Sequence, residues 1–483
     1  MKRLPLFATC ALLLSACSSP STSTPATAAA PAPAKIAITT KSPEALAHYQ
    51  KGLTFLENAR TAEGLDELKQ ALALDPQFVS AKALHGTGTP GPEGLKEADE
   101  ALAAAASLPE AERLLIEASV AQRRGDQAKA AAALTRVTEV APGDYQGFML
   151  LGTELLGEQK YAEAQQALKK ATELNPSNGG AQNQLGYAAL RQGDTATAIA
   201  AFEQYARIQP QEANAQDSLG EALMAAGRFK DAEAAFQKAA EMAPQFWPAQ
   251  QGIAYAKFYA GDWAGGRAAL TKGRDIATRP VDKLTLDNDL AAAAAAQRDF
   301  AGALKMLDAM EKGPGLHPDD VAFVGMVRGL AQMEAGRTRE ALASLNGVIA
   351  AADGGKFTPG VASNIRPQAL RVRASIEGQA GDEAAVAKTS AALDADAMAQ
   401  PNNASVQSMM HHGRAMLALA KRDTAGALAE LSRCSPEDVI CSWQRVRVAE
   451  KAGDKAAAAA AREQALKIYR RDTAGLVVRS RLG

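Results

Sequence analysis

Small and large apolar residues recur in the same order along three successive stretches of the chain. The prolines that bound these stretches are Pro142, Pro176, Pro210 and Pro244, each 34 residues from the next. Proline cannot donate the backbone hydrogen bond that continues a helix, so each proline marks the end of a helix. A fixed period of this length predicts a repeat protein in which each copy is a pair of helices.

Within each stretch, a leucine-glycine pair, an alanine and a large apolar residue occupy matching positions. The members are Leu151, Gly152, Ala164, Leu168 and Ala171, then Leu185, Gly186, Ala198 and Phe202, then Leu219, Gly220, Ala232, Phe236 and Ala239. An earlier copy contains Gly52, Gly64, Leu68, Ala71 and Pro76. This order resembles the tetratricopeptide (TPR) signature, in which glycine and alanine stand at close helix crossings. The resemblance implies an all-α fold, a TPR-like right-handed α-solenoid.

A second repeating feature is a glycine followed by Asp or Arg near the middle of each copy. These glycines are Gly125, Gly193, Gly227, Gly261, Gly336, Gly381 and Gly453. Glycine readily adopts the left-handed conformation at a helix end, and a following aspartate can cap the next helix. Alignment on the turns predicts about 11 or 12 copies over residues 44–470. The later copies are expected to begin near Trp247, Leu284, Ala322, Pro367, Ser408 and Val439.

The regular pattern is interrupted at two places. A glycine- and proline-rich run at 86–92 replaces one turn, and residues 353–366 form a predicted loop that is longer than a TPR junction allows. The copies also lose their terminal prolines beyond Pro280. We therefore predict an N-terminal superhelix at 43–280, a divergent superhelix at 281–470 and a C-terminal tail at 471–483.

The N-terminus has the form of an export signal. Two basic residues precede an apolar stretch at 4–14, which is too short to span a bilayer and is typical of a secretory signal peptide. Residues 14–17, Leu-Ser-Ala-Cys, then resemble the bacterial lipobox, which implies removal of residues 1–16 and acylation of Cys17. Ser18 after the cysteine implies the outer membrane, with the protein facing the periplasm. Because residues 18–34 are entirely Ser, Thr, Pro and Ala, we expect a disordered tether over 17–42.

Composition and charge exclude one class of function. The chain contains 53 Lys and Arg against 54 Asp and Glu, and it has no basic stripe. The attraction to phosphates that nucleic-acid binding requires is therefore missing. Frequent alanine and only 5% aromatic residues also favour closely packed helices.

No residue pattern indicates a catalytic, cofactor or metal site. His411 and His412 are adjacent, so on a helix they point about 100° apart and make a poor metal pair. Gly86, Gly88 and Gly91 form a GxGxxG, but the run follows a predicted helix instead of the strand that a dinucleotide fold needs. We therefore expect a protein that is not an enzyme and that has no cofactor and no metal.

Because Cys10 leaves with the signal peptide and Cys17 is acylated, only Cys434 and Cys441 remain as free cysteines. In an oxidising periplasm a close pair is expected to form a disulfide, and the Ser-Pro-Glu-Asp between them suits a turn between helices. The alternative is a pair of buried free thiols.

A TPR array presents a concave groove that is lined by the first helix of each copy. Positions about four apart on that helix face inward. These positions hold Met149, Thr153, Asn183, Tyr187, Arg191, Asp217, Glu221, Met224, Gln251, Tyr255 and Tyr259. Such residue types suit a peptide ligand, and Asp217 and Glu221 favour a neutral or basic segment. The alternative is ordinary groove surface, with Tyr255 and Tyr259 partly in the core against Trp263.

The signal, tether and repeats together predict a lipid-anchored cell-envelope scaffold that binds other proteins. Its similarity to TPR lipoproteins implies a role in assembly of a secretion, pilus or cell-wall complex. A second hypothesis is a glycan-associated protein of polysaccharide export, which aromatic residues exposed in the groove would favour. A third is an enzyme whose site is hidden within 281–470, which would require a deep pocket with clustered titratable groups. The expected partners are envelope proteins or peptide segments and, through the lipid, the membrane.

Overall fold

The computed structural model describes residues 34–57, 60–313 and 316–482, and every regular element in these ranges is helical. The first twelve helices are α1 Pro43–Glu57, α2 Thr61–Leu74, α3 Val79–Gly88, α4 Pro92–Ala104, α5 Glu110–Arg123, α6 Gln127–Val140, α7 Tyr145–Gly157, α8 Tyr161–Leu174, α9 Gly179–Gln192, α10 Thr195–Ile208, α11 Ala213–Ala225 and α12 Phe229–Met242. The others are α13 Trp247–Tyr259, α14 Trp263–Ile276, α15 Pro280–Ala296, α16 Phe300–Glu311, α17 Ala322–Glu334, α18 Thr338–Asp353, α19 Pro359–Ala380, α20 Glu383–Ala399, α21 Ala404–Ala420, α22 Thr424–Leu431, α23 Val439–Ala452, α24 Lys455–Leu466 and α25 Thr473–Leu482. A short 3-10 helix, Ala105–Ser107, follows α4.

Helices α1 to α24 form twelve successive pairs. The two helices of each pair pack on each other, and each pair packs on the next along the chain. The array confirms the predicted all-α TPR solenoid of about 11 or 12 copies. Helix α25 stands outside the pairs.

The turns within the pairs follow the predicted chemistry. All seven glycines named above have φ between 74° and 90°, in the left-handed region. Asp194 and Asp262, which follow two of them, accept hydrogen bonds from the backbone N–H of Thr197 and Gly265 at the start of the next helix. In three other pairs the turn residue is not glycine. Gln159, Arg298 and Arg422 adopt the left-handed conformation there, with φ of 61°, 67° and 62°, which is strained for a residue with a side chain.

The helix crossings explain the order of small and large residues. The Phe236 ring is fully buried between Gly220 of α11 and Gly252 of α13. A Cβ atom at either glycine would overlap with the ring. Small residues on first helices therefore make room for one large residue on the second helix, as the TPR resemblance implies.

The run at 86–92 does not interrupt the array, so that prediction is wrong. Helix α3 continues to Gly88, and only three residues separate it from α4. Gly86 and Gly94 lie where the two helices cross, because a Cβ at either position would touch the backbone of the facing helix. The glycines serve close packing.

The predicted loop at 353–366 is also wrong, because α19 begins at Pro359 and contains Pro367. Proline at the first helical position loses no intrahelical hydrogen bond. Pro367 leaves the carbonyl of Ser363 without its helical donor. The Gln400 side-chain amide donates to that carbonyl at 3.1 Å, which compensates for the lost bond.

The predicted signal peptide, Cys17 and most of the tether lie outside the described residues. Residues 34–42, at the end of the predicted tether, are bound to the body. The backbone N–H and hydroxyl of Thr39 donate to the buried Glu112 carboxylate at 2.9 and 2.6 Å, and Gly143 N–H donates to the Ala34 carbonyl at 2.8 Å. The disordered stretch was therefore predicted to extend too far, because buried Glu112 provides acceptors for this segment.

Helices α14 and α15 pack on each other across the predicted boundary near residue 281, which stays a prediction. Within the described ranges, no helix combines the length and the apolar character needed to cross a bilayer.

Candidate functional site

The first helices of the pairs form the inner wall of the solenoid. Helices α7, α9, α11 and α13 contact one another in succession, although a second helix separates them in the chain. Neighbouring repeats lie closest on the concave side of a solenoid, so these helices line an inner groove.

Residues 467–482, here called the C-terminal segment, return into this groove. A connection at 467–472 leads from α24 to α25, which packs on α15, α23 and α24. The Tyr259 hydroxyl donates to the Arg470 carbonyl at 2.5 Å, although the two residues are 211 positions apart. The predicted tail at 471–483 thus contains a docked helix.

The strongest polar contact of the C-terminal segment is made by Arg471. Its guanidinium donates to both carboxylate oxygens of Asp217, at 3.3 and 3.0 Å, and to the Pro248 carbonyl at 3.2 Å. It also forms an ion pair with Glu221. Asp217 is 3% exposed, so the arginine supplies the positive charge that a buried carboxylate requires. Two of the predicted groove residues therefore bind an arginine of the same chain.

Aromatic contacts hold the connection before α25. Tyr469 packs edge-to-face on Phe229 and Tyr259, with ring centroids 4.8 and 5.4 Å apart. The Arg479 guanidinium lies 4.2 Å from the centroid of the Tyr469 ring. These contacts cover Tyr259, which is only 8% exposed.

Helix α25 joins two apolar clusters. Leu476 and Val477 are buried in the cluster of α13 and α15, which also contains Met224 and Tyr255. Val478 and Leu482 are buried in a second cluster, with Trp443 among others. At the end of the helix, Arg481 forms an ion pair with Glu334 at 3.1 Å. The C-terminal segment thus fills the groove from α11 to α17.

Beside it lies a buried carboxyl group that sequence reasoning missed. Asp289 of α15 accepts hydrogen bonds from Gln251 Nε2 at 2.6 Å and from the Tyr255 hydroxyl at 2.8 Å. Burial and, to a lesser extent, the nearby Asp472 carboxylate raise the pKa of Asp289 to about 6. Burial also raises the pKa of Asp472. Tyr255 is completely buried, as the alternative interpretation of that residue expected.

The remaining predicted groove residues lie closer to the N-terminus. Met149 is in the core. Thr153 is exposed and donates to the Met149 carbonyl. Tyr187 is half-buried, with its hydroxyl 3.0 Å from that of Ser218. The amide oxygen of Asn183 is buried and has no hydrogen-bond partner among the described residues, whereas Arg191 is exposed.

Two open cavities continue the groove on this side. One, of about 490 Å³, is mostly apolar and is lined by α1, α3, α5 and α7, with Leu53, Leu115 and Leu150 in its wall and Gln122 at its rim. The other, also about 490 Å³, lies between α9, α11 and the connection at 467–472, and Arg191 lines it. The open space along α1 to α11 therefore borders the first residues of the C-terminal segment, 467–472.

The divergent half contains a cluster of buried polar groups. His412 is completely buried with Nε2 3.3 Å from the Ser375 hydroxyl, and Arg371 forms an ion pair with Asp438 at 2.5 Å. Burial and the charge of Arg371 lower the pKa of His412 to about 3. The adjoining space that Arg371 and Ser375 line is only about 20 Å³, which is room for little more than a water molecule. The space adjoining the cluster is thus too small for a substrate.

The structure joins Cys434, in the connection after α22, and Cys441, in the first turn of α23, in a disulfide. His411 points away from the buried cluster and pairs with Glu430 at 2.8 Å. Across the described part of the chain, no group of three or more His, Cys, Asp or Glu side chains is arranged to hold a metal ion.

The fold and groove define the class of protein as a helical-repeat solenoid with an inner binding surface. A family profile described as tetratricopeptide repeat matches residues 149–213 and 184–249. Residues 149–249 are therefore TPR repeats. No curated protein matches it in sequence.

Several solved structures are similar to parts of the chain. MamA is 22% identical, over 35% of this chain and 91% of that chain, with a TM-score of 0.33. PilW, a widely conserved type IV pilus biogenesis factor, is 19% identical, over 44% of this chain and 97% of that chain, with a TM-score of 0.37. A TPR protein from Parabacteroides merdae ATCC 43184 is 11% identical, over 68% of this chain and 100% of that chain, with a TM-score of 0.36.

Proposed function

We propose that this protein is a cell-envelope scaffold that holds a segment of a partner protein in its inner groove. One observation carries the proposal: the groove already binds a polypeptide segment, residues 467–482 of the chain itself. A groove that binds one segment through an ion pair, aromatic stacking and apolar contacts has the chemistry to bind another. The scaffold acts in assembly of a secretion, pilus or cell-wall complex, as the resemblance to TPR lipoproteins implies.

The partner site extends from the apolar cavity of α1 to α7 to the cavity beside Arg191. An apolar wall with a polar rim is the usual composition of a protein-binding surface. Gln122 lines the first cavity and Arg191 lines the second, and both side chains are exposed and do not pack in the core.

The scaffold is anchored through acylated Cys17 on the periplasmic side of the outer membrane. A Cys17→Ser variant is expected to lose incorporation of labelled palmitate and to move from the membrane fraction to the soluble fraction. If the variant keeps both the label and the membrane association, the anchor is wrong while the groove proposal stands.

The two other hypotheses receive less support. Glycan binding relies on exposed aromatic platforms, whereas Tyr255 and Tyr259 are buried and Tyr187 is half-buried. An enzyme hidden in the divergent half would need an accessible site, whereas the titratable cluster around His412 adjoins only a very small cavity.

Photo-crosslinking in intact cells tests the proposed function. A photoreactive amino acid replaces Gln122 or Arg191 in the full-length chain, and Lys238 serves as a matched control because it is exposed on a second helix, α12. We expect light-dependent adducts with the same protein at both groove positions and none at residue 238. Equal labelling at all three positions would contradict a groove site, and carbohydrate adducts alone would favour the glycan hypothesis.

A further inference from the structure

The C-terminal segment carries a chemical pattern that matches the groove. It contains Arg470, Arg471, Arg479 and Arg481 against a single acidic residue, Asp472, whereas Lys467 pairs with Glu463 of the preceding helix. The acidic groups that pair with it come from three separate places in the array: Asp217 and Glu221 on α11, Glu334 on α17, and Glu437 between α22 and α23. The match of charge is therefore a property of the groove as a whole.

The segment is also separable from the array. Its helix belongs to none of the twelve pairs, and the connection at 467–472 joins it to α24. Asp472 accepts the Gly475 N–H at 2.5 Å and so caps α25, which means that the segment carries its own helix-start signal. A segment of this kind is bound as a peptide ligand would be.

One side of the bound segment is accessible. The cavity of about 490 Å³ beside Arg191 separates Tyr469 and Arg470 from α9 and α11 over part of their length. Glu221 lines this cavity and also pairs with Arg471. A competing segment can therefore reach Glu221 from the cavity before the apolar contacts of α25 break.

We infer that residues 467–482 are an internal ligand, and that the partner segment which replaces them has the same chemistry. That chemistry is an aromatic residue, two consecutive arginines, an acidic helix cap and a short helix with an apolar face. This inference rests on the proposed function. It adds the chemical class of the partner segment and the way in which access of that segment to the groove is controlled. The groove is closed by its own segment until a partner segment displaces it.

Peptide binding to the full-length protein tests the inference. The probe is a fluorescein-labelled peptide of residues 467–482, and its affinity is measured by anisotropy for the wild type, Arg471→Ala and Lys467→Ala. Because an occupied groove lowers the apparent affinity in proportion to the unoccupied fraction, we expect Arg471→Ala to bind at least about tenfold more tightly than the wild type. Lys467→Ala should match the wild type, since Lys467 pairs only with Glu463 of α24. Equal affinity for all three proteins, or no binding to any, overturns the inference.

A second measurement needs no substitution. Isotopically heavy peptide is added to the wild-type protein, and hydrogen exchange is followed in α25 of the protein itself. Displacement should raise exchange in α25 and leave α23 unchanged. Unchanged exchange in α25 at saturating peptide overturns the inference.

The two proposals fail separately. Crosslinks at Gln122 and Arg191 without displacement of α25 keep the scaffold and overturn the internal ligand. If the peptide displaces α25 but no protein is crosslinked in cells, the internal ligand stands and the scaffold proposal is overturned.

Discussion

Replacement of Asp289 by asparagine gives the sharpest physical test of the groove. Asp289 is 4% exposed and accepts hydrogen bonds from Gln251 and Tyr255. Its pKa is raised to about 6, mainly because burial penalises the charged form. The Asp289→Asn variant keeps the shape of the side chain and removes the charge.

The expected change in folding stability follows from the raised pKa of Asp289. The folded state binds the Asp289 proton more tightly than the unfolded state, so the contribution of Asp289 to stability decreases as pH rises from about 4 to about 6 and is constant above that range. A pKa raised from 3.8 to about 6 corresponds to a loss of about 3 kcal/mol at pH 7. Rearrangement of the hydrogen bonds around the asparagine costs about 1 kcal/mol. The variant should therefore be more stable by about 2 kcal/mol at pH 7 and slightly less stable at pH 4.

Hydrogen exchange is the appropriate assay, because a long repeat array need not unfold in a single step. The opening free energies of α13 and α15 are compared between the wild type and Asp289→Asn from pH 4 to pH 8. The difference between the two proteins isolates Asp289 from the other titrating groups. A difference that does not change with pH, or a variant that is less stable at pH 7, would refute the reasoning.

Three further predictions concern the rest of the array. Arg298→Gly should raise the melting temperature, since glycine removes a left-handed strain of about 1 kcal/mol, and Gly261→Ala should lower it by a comparable amount. Below pH 6.5 the stability of His412→Gln should depend less on pH than that of the wild type. The buried histidine is protonated less readily in the folded state than in the unfolded state, so the wild type loses up to about 5 kcal/mol of stability as pH falls toward 3. Replacement of both Cys434 and Cys441 by serine should lower the local stability of α22 and α23 by about 2 kcal/mol, measured by hydrogen exchange with reduced wild type for comparison.

Each of these predictions has a contrary outcome. Equal melting temperatures for Arg298→Gly and the wild type would mean that the left-handed turn is unstrained. If the stabilities of His412→Gln and the wild type depend equally on pH in acid, the protonated imidazole of His412 is in contact with solvent in the folded state. Unaltered exchange after loss of the disulfide would mean that packing alone orders α22 and α23.

The repeat architecture could be predicted because each copy carries its own signals. A glycine in the left-handed region and a small residue opposite a large one are local requirements, so they recur with the period of the structure. The same reasoning failed where one residue compensates for another at a distance. Pro367 was interpreted as the start of a copy, because Gln400, which satisfies the freed Ser363 carbonyl, lies 37 residues away.

The occupation of the groove could not be predicted from the repeats. Inward positions on α11 and α13 were identified, but their contacts with residues 467–482 span more than 200 positions of sequence. A signal was nevertheless present in the segment, where Leu476, Val477 and Val478 form an apolar run with arginines on both sides. Such a run is unusual for an exposed tail, and it indicated a buried face. Asp289 gave no comparable signal within its alanine-rich helix.

The structure divides the predicted groove residues into two sets with different roles. Asp217, Met224 and Tyr259 hold the C-terminal segment and contribute to the stability of the chain, so their substitution affects folding and binding together. Arg191 is exposed at the edge of the open cavity and contributes little to the core. Glu221 belongs to both sets, because it pairs with Arg471 and also lines the cavity beside Arg191. Glu437 is in the same position, because it pairs with Arg470 at 3.2 Å and lines that cavity as well. Competition between an incoming segment and the internal one must therefore begin at Glu221 and Glu437, the carboxylates that are both paired with the segment and open to the cavity.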